Sequence, residues 1–202
     1  MIKAIVFDLG NVVLTNDWHH GKGFIDELSG VFNLSEKEMD HGFWNNWDKY
    51  KVGAISEEVF WDGFLRDAGA SHIDVEKCKA IYRKYQQPIN NLFDLIKELK
   101  KRYKIFALAN VGKEWLDWKI HRFNLKDYFG IIIGSGNVGA AKPDKKIYKI
   151  LLDRAKVEAE DCVFIDDLKM NLIPAKELGF KTIHSTDRKQ LEQDLKKLGL
   201  KF

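Results

Sequence analysis

Five short apolar runs punctuate the chain, at residues 2–7, 105–108, 131–133, 163–165 and 182–183, each bounded by small, polar or charged residues. They are too short for helices, and the first is rich in β-branched side chains, which predicts strands buried on both faces. Between them lie stretches with apolar positions at helical spacing, at residues 91–102, 114–123, 145–154, 172–178 and 189–198. Strands alternating with helices of this length predict an α/β fold: a Rossmann-like parallel sheet core with helices on both faces. Functional groups in such sheets gather at the carboxyl ends of the strands. Asp8, Asn110, Gly134 and the pair Asp166/Asp167 stand at that edge.

Residues 15–89 break the alternation. This segment reads as helical, with a capping-box pattern at Ser35 and Glu38 and a second helix start at Ser56 ahead of Glu57 and Glu58. It holds four of the six tryptophans, Trp18, Trp44, Trp47 and Trp61. The predicted division is a core domain of residues 1–14 and 90–202 and a helical cap domain of residues 15–89, inserted after the first strand and lying over the sheet's carboxyl edge. Trp44, Trp47, Tyr50, Phe60 and Trp61 are expected to be mainly cap core, with room for one of them to touch a ligand.

Length and composition fit this picture. A chain of 202 residues that is 45% hydrophobic buries a full core. Its charge of +3, from 33 basic and 30 acidic residues, is scattered rather than blocked, which predicts no nucleic-acid partner. Cys78 and Cys162 are far apart and without a CxxC partner, so buried thiols in a reducing compartment are expected. The opening apolar run is broken by Asp8 with no cleavage site after it, and no stretch reaches membrane-spanning length. A cytoplasmic protein with no membrane partner is the expectation.

Four pieces of sequence carry candidate chemistry, and each alone has a plainer reading. Asp8 in VFDLGNVVL ends a buried strand, where a carboxylate can attack phosphorus as a covalent nucleophile or simply cap a turn. Asn110, closing FALAN, can offer an amide to phosphate oxygens or make a turn. Lys142 in AAKPDKKIY precedes a helix suited by Pro143 and Asp144, and is either a charge for phosphate or a solvated lysine. Asp166 and Asp167 in FIDD repel one another unless a cation or hydrogen bonds offset them; oxygen ligands of this kind suit Mg²⁺, and helix capping is the alternative.

In this order, and at these strand ends, the pieces resemble the haloacid dehalogenase-like hydrolase superfamily over nearly the whole chain: FDLG, LAN, KPD and IDD match its four motifs, and the helical insert resembles its C1 cap. FDLGNVV, YKVGAISEEVF, VGAAKPDKKIY and FIDDLKMNLIPAKELGF are most similar to bacterial α-D-glucose-1-phosphatase-type phosphatases. The resemblance implies a Mg²⁺-dependent phosphatase of small phosphomonoesters, sugar phosphates among them, acting on a small phosphorylated metabolite through an aspartyl-phosphate on Asp8. It implies Asp8, the Gly10 carbonyl, Asp166 and Asp167 as metal ligands, and Lys142 as the charge that neutralises phosphate and nucleophile. Asn110, with Ala109 beside it and backbone N–H groups near Leu9 and Gly10, would hold the phosphoryl group.

Three positions depart from the family pattern. Gly10 stands where most members carry an acid/base aspartate, Ala109 where Ser or Thr is usual, and Leu168 where small or polar residues follow the aspartate pair. General acid/base help is worth about 10²–10⁴-fold, so a slow enzyme is expected. Asp17 or His19 near the hinge could supply the proton, although His19 and His20 read first as turn residues. Gly10 and Ala109 also motivate a different class of protein, a regulatory module that binds phosphate and metal without turnover. A third reading, 2-haloacid dehalogenation, needs no metal, and the aspartate pair argues against it. Oligomeric state is not encoded in any of these features.

Overall fold

The computed structural model describes residues 1–15, 23–72, 74–89 and 91–202. In chain order the elements are β1 (Ala4–Phe7), α1 (Phe24–Phe32), α2 (Glu36–Lys51), α3 (Glu57–Asp67), α4 (Val75–Lys84), α5 (Leu92–Lys100), β2 (Lys104–Ala109), α6 (Lys113–Arg122), β3 (Ile131–Gly134), α7 (Ser135–Val138), α8 (Lys145–Ala155), β4 (Cys162–Asp166), α9 (Lys169–Glu177), β5 (Lys181–His184) and α10 (Arg188–Lys197). The strands form one parallel sheet in the order β3-β2-β1-β4-β5. This is the predicted α/β class.

The period-2 geometry of a strand sorts the β1 residues onto two cores. Ile5 and Phe7 belong to one apolar cluster with α5 and the α1–α4 helices, whereas Ala4 and Val6 belong to a second with Tyr148 of α8 and Ala175 of α9. All four β1 residues have no exposed surface, which is why that run reads as continuously apolar rather than alternating. The sheet order reverses across β1 and β4, so their carboxyl ends flank the switch point where open α/β sheets place their ligands.

The helical segment begins where the caps predict. Ser35 accepts from the Glu38 N–H while Glu38 returns a bond to the Ser35 N–H, and Ser56 accepts from the Val59 N–H. Helices α2 and α3 approach at backbone distance. A Cβ at Gly42 would lie 2.5 Å from the Phe64 carbonyl oxygen, and one at Gly63 would lie 2.3 Å from Asn46 Oδ1. Buried Asn46 donates from Nδ2 to the Gly42 carbonyl at 2.9 Å and to Asp67 at 3.0 Å, which ties the pair.

The two connections between this segment and the sheet run side by side. The Thr15 N–H donates to the Gln87 carbonyl at 2.8 Å, the Gln87 N–H to Thr15 Oγ1 at 2.9 Å, and the Ile89 N–H to the Val13 carbonyl at 3.0 Å. Asp17, Trp18, His19 and His20 lie outside the described residues.

Two elements differ from expectation. Helix α7 was not anticipated, because SGNV carries no apolar periodicity. Helix α9 starts at Lys169 rather than residue 172; Met170 and Ile173 are exposed, so its first turn shows no buried stripe. Among the described residues no helix is long and apolar enough to cross a membrane. Cys78 and Cys162 are buried and free, and burial pushes both thiols up to about 12.

Candidate functional site

Asp8 follows β1 directly, its N–H donating to the Ile165 carbonyl at 2.9 Å, so the sheet itself fixes the residue. The chain then doubles back. Val13 and Leu14 donate to the Leu9 carbonyl at 2.9 and 2.8 Å, and Asn11 donates to the Leu14 carbonyl at 2.8 Å. Asn11 adopts φ 52°, a left-handed conformation that asparagine tolerates. The tight loop leaves Asp8, Gly10 and Asn11 lining a cleft, while the Leu9 side chain is buried in the core. Any contact from Leu9 to a ligand therefore runs through its backbone N–H.

Lys142 is 3% exposed, which disposes of the solvated-lysine reading. Its Nζ lies 2.8 Å from Asp8 Oδ1 and 2.6 Å from Asp166 Oδ2. The lysine's backbone is gripped from β2: Asn110 Nδ2 donates to the Lys142 carbonyl and the Lys142 N–H donates to Asn110 Oδ1, both at 2.8 Å. Asn110 lines the cleft, but its amide also has this positioning task, which sequence reasoning missed because the partner is 32 residues away. Ala109 ends β2 opposite Gly134 and is buried.

Asp166 is fully buried and accepts from the Leu168 N–H at 2.8 Å and from Asn171 Nδ2 at 3.0 and 3.1 Å. Asn171 is held in turn by the Tyr148 hydroxyl, which donates to its carbonyl at 2.6 Å. Asp166 thus accepts from the turn that leads into α9 and pairs with the Lys142 ammonium, while α9 itself has no side-chain cap. Asp167 accepts from Asn11 Nδ2 at 3.3 Å, and its carbonyl lies 2.8 Å from His184 Nε2.

One oxygen from each of Asp8, Asp166 and Asp167 falls within 4.8 Å of the others. Burial lifts the Asp8 carboxyl to about 7 despite the opposing pull of Lys142, and Asp166 and Asp167 add to the lift. Burial, then Asp166, also raises Asp167. Lys142 loses by burial but gains more from Asp8 and Asp166, and is held above the ordinary lysine value. Three carboxylates facing one ammonium leave a negative excess in a poorly solvated place. An all-oxygen donor set of that charge fits a hard divalent cation.

The cleft has a volume of about 480 Å³. Opposite the carboxylates stand Phe24, Phe43, Trp44 and Trp47 from α1 and α2, and Trp115 from α6. Trp44 and Trp47 thus line the cleft, whereas Tyr50, Phe60 and Trp61 are fully buried core. Trp115 is fixed by Tyr82, stacked at 3.9 Å between centroids, and by Glu57, whose Oε1 accepts from Trp115 Nε1 at 3.0 Å and Trp61 Nε1 at 3.4 Å. Glu57 Oε2 also meets Arg83 at 3.4 Å. Sequence alone shows Glu57 only as a first-turn acid.

Lys119 was likewise missed. It sits one turn beyond Trp115 on α6, 4% exposed, its Nζ 5.8 Å from the centroid of the Tyr82 ring. Burial pushes its ammonium down to about 8, against the opposing charge of Asp8. Lys119→Met is therefore expected to stabilise the protein at pH 7 by about 3 kcal/mol. Below pH 8 the lysine is charged both folded and unfolded, so the full cost of burial applies. The cost shrinks as pH rises from about 8 to the unbound lysine value of 10.5, and the advantage of methionine should vanish above it. Urea unfolding of both proteins at pH 7 and at pH 11 checks this.

A family model described as haloacid dehalogenase-like hydrolase matches residues 2–179. Bifunctional epoxide hydrolase 2 of Sus scrofa is 36% identical over 98% of this chain and 39% of its own length, so the chain spans less than two thirds of that relative. D-ribitol-5-phosphate phosphatase of Bacteroides thetaiotaomicron is 25% identical over 96% of this chain and 97% of its own. A crystal structure of a HAD family enzyme from Bacteroides thetaiotaomicron superposes with a TM-score of 0.83 at 24% identity, covering 99% of both chains, which shows the shared fold. That enzyme has also been solved in complex with magnesium and inorganic phosphate, at a TM-score of 0.77, 24% identity and coverage of 93% of this chain and 96% of that one. With its family match running through all four strand-end motifs, the chain belongs to the haloacid dehalogenase-like hydrolase family.

Proposed function

We propose that the chain is a Mg²⁺-dependent phosphatase of small phosphomonoesters that works through an aspartyl-phosphate on Asp8. The observation that carries this reading is the meeting of Asp8, Asp166 and Asp167, the first two paired with the Lys142 ammonium, in a ligand-sized cleft. The names of the ribitol-phosphate phosphatase and of the magnesium and phosphate complex support the same chemistry for relatives of this fold.

An oxygen of Asp8 attacks phosphorus, and the ester P–O bond breaks with its electron pair leaving on the alcohol oxygen, which takes a proton from water. Water then attacks the aspartyl-phosphate, the new P–O bond to Asp8 breaks, and inorganic phosphate departs while the carboxylate is restored. Asp8, Asp166, Asp167 and the Gly10 carbonyl would hold Mg²⁺, which when bound supplies positive charge to the phosphoryl oxygens. Lys142 opposes the protonation of Asp8 that burial favours and faces the developing charge, with Asn110 fixing its backbone. Backbone N–H groups of Leu9 and Gly10 would complete the phosphoryl seat, and Ala109 contributes no hydroxyl to it. Glycine at position 10 leaves no side chain there to protonate the leaving oxygen, which favours slow turnover. Residues 15–89 form the cap and residues 1–14 and 90–202 the core in this proposal, the boundary falling at the paired connections. The buried free thiols accord with a cytoplasmic location.

Phosphate release should be measured on a broad panel of phosphomonoesters with MgCl₂. Release that falls to background with EDTA and returns with excess MgCl₂ is the expected result. No release from any ester above the EDTA-treated control would sink the phosphatase reading, and release indifferent to EDTA would remove the metal from it.

A further inference from the structure

The two ends of the cleft differ in kind. At the carboxylate end the polar side chains are already engaged with one another: Asn11 with Asp167, Asn110 with the Lys142 backbone, and Asn171 with Asp166. The far end is built of rings. Trp47 stacks on Phe43 at 5.3 Å and on Trp115 at 5.7 Å, forming a continuous aromatic wall, and Phe24 closes it against Tyr82 at 5.3 Å. Among the described residues the polar side chain lining that end is Lys51, itself paired with Asp48.

The rim is apolar on both sides. Trp44 on α2 is 44% exposed, and Leu168 and Met170, across the mouth at the entry to α9, are 50% and 56% exposed; all three line the cleft. Large apolar side chains left half in water around one cleft mark a surface that an apolar ligand covers. Leu168 and Met170 stand next to Asp167, so the apolar strip leads straight to the phosphate end.

We propose that the leaving group of the substrate is apolar, an alkyl, isoprenyl or aryl alcohol rather than a sugar or polyol. This rests on the phosphatase reading for its chemistry but on the cleft's two-ended character for its specificity. A polyol placed against these rings finds no polar side chain among the described residues there besides Lys51, and each stranded hydroxyl costs about tenfold to a hundredfold in affinity. An alkyl chain gains instead, by about threefold for each methylene taken out of water. The half-exposed rim residues have their use here, because they lose their water only when such a chain lies between them.

The test is a series of n-alkyl monophosphates from ethyl to decyl, with ribitol 5-phosphate set against pentyl phosphate as a partner of equal carbon number and the same primary ester. These esters share one type of leaving oxygen, so intrinsic reactivity changes little along the series. The series is read twice, as kcat/KM on the wild-type protein with MgCl₂ and as Kd by calorimetry on Asp8→Asn. Expected is a rise of about threefold per methylene in both until the cleft is filled, and pentyl phosphate ahead of ribitol 5-phosphate by more than tenfold. Trp44→Ala and Met170→Ser, each altering an exposed side chain, should both flatten the slope. A series flat within about twofold, or ribitol 5-phosphate ahead of pentyl phosphate, overturns the inference whichever readout gives it. A climbing Kd series without turnover of any ester keeps the apolar site and removes the phosphatase reading instead.

Discussion

Replacing Asp8 with asparagine is expected to lower phosphate release by about 10⁴-fold or more on every substrate. Removing the nucleophile removes the covalent route altogether, whereas loss of a merely positioning group slows it. The substitution keeps the side chain's shape, and the anchor of the residue is its backbone N–H to the Ile165 carbonyl, which asparagine retains. The thermal midpoint in the absence of metal should be at or above that of the wild type, because a carboxylate buried beside two others is exchanged for a neutral amide. Phosphate release and scanning calorimetry on the same preparation check both halves. Activity within tenfold of the wild type would exclude Asp8 as the nucleophile.

Lys142→Met should cost stability as well as turnover. The ammonium is the one that touches both Asp8 and Asp166, at 2.8 and 2.6 Å, with almost no solvent around it. Taking it away leaves two buried carboxylates uncompensated, which typically costs about 3–5 kcal/mol. Urea midpoints should fall accordingly, and MgCl₂ should raise the midpoint of the variant more than that of the wild type, since added cation then meets a larger charge deficit. Turnover should drop by about a thousandfold, the scale on which one preorganised charge acts in a water-poor site. Lys142→Arg should not restore it, because the planar guanidinium fork has no room in a site fitted to a point charge.

The sheet and most of its helices could be read directly from the chain, because each strand is a short apolar run buried on two faces and each helix carries a buried stripe. The strand-end positions of Asp8, Asn110, Asp166 and Asp167 followed from the same punctuation, whereas Lys142 lies beyond α7, ahead of α8. Relations between distant residues were not legible. Glu57 looks like an ordinary first-turn acid after Ser56, and its bond to Trp115 spans 58 residues. Lys119 lies in KEWLDWKIHR, where alternating charge suggests a solvated face, yet it is buried. The early start of α9 is not legible because Leu168 is an apolar N-cap with no side-chain cap, and Met170 and Ile173 in the first turns are exposed. The misses at Glu57 and Lys119 involve packing across the fold rather than local periodicity.

The paired connections at Val13–Thr15 and Gln87–Ile89 change what the helical segment means to the rest of the molecule. Because its two ends are hydrogen-bonded to each other, the sheet receives the segment as a loop already closed. Lengthening such a loop adds only about 0.6 kcal/mol of closure entropy for each doubling. The paired crossing therefore fixes where the chain leaves and re-enters the sheet, while Trp115 of α6 carries the packing between the segment and the core. Helices there can be added, shortened or exchanged, and with them the part of the cleft lined by Phe24, Phe43, Trp44 and Trp47, while Asp8, Asn110, Lys142 and Asp166 stay in place. On the proposed reading, recognition and chemistry are thus largely separable and can change at different rates.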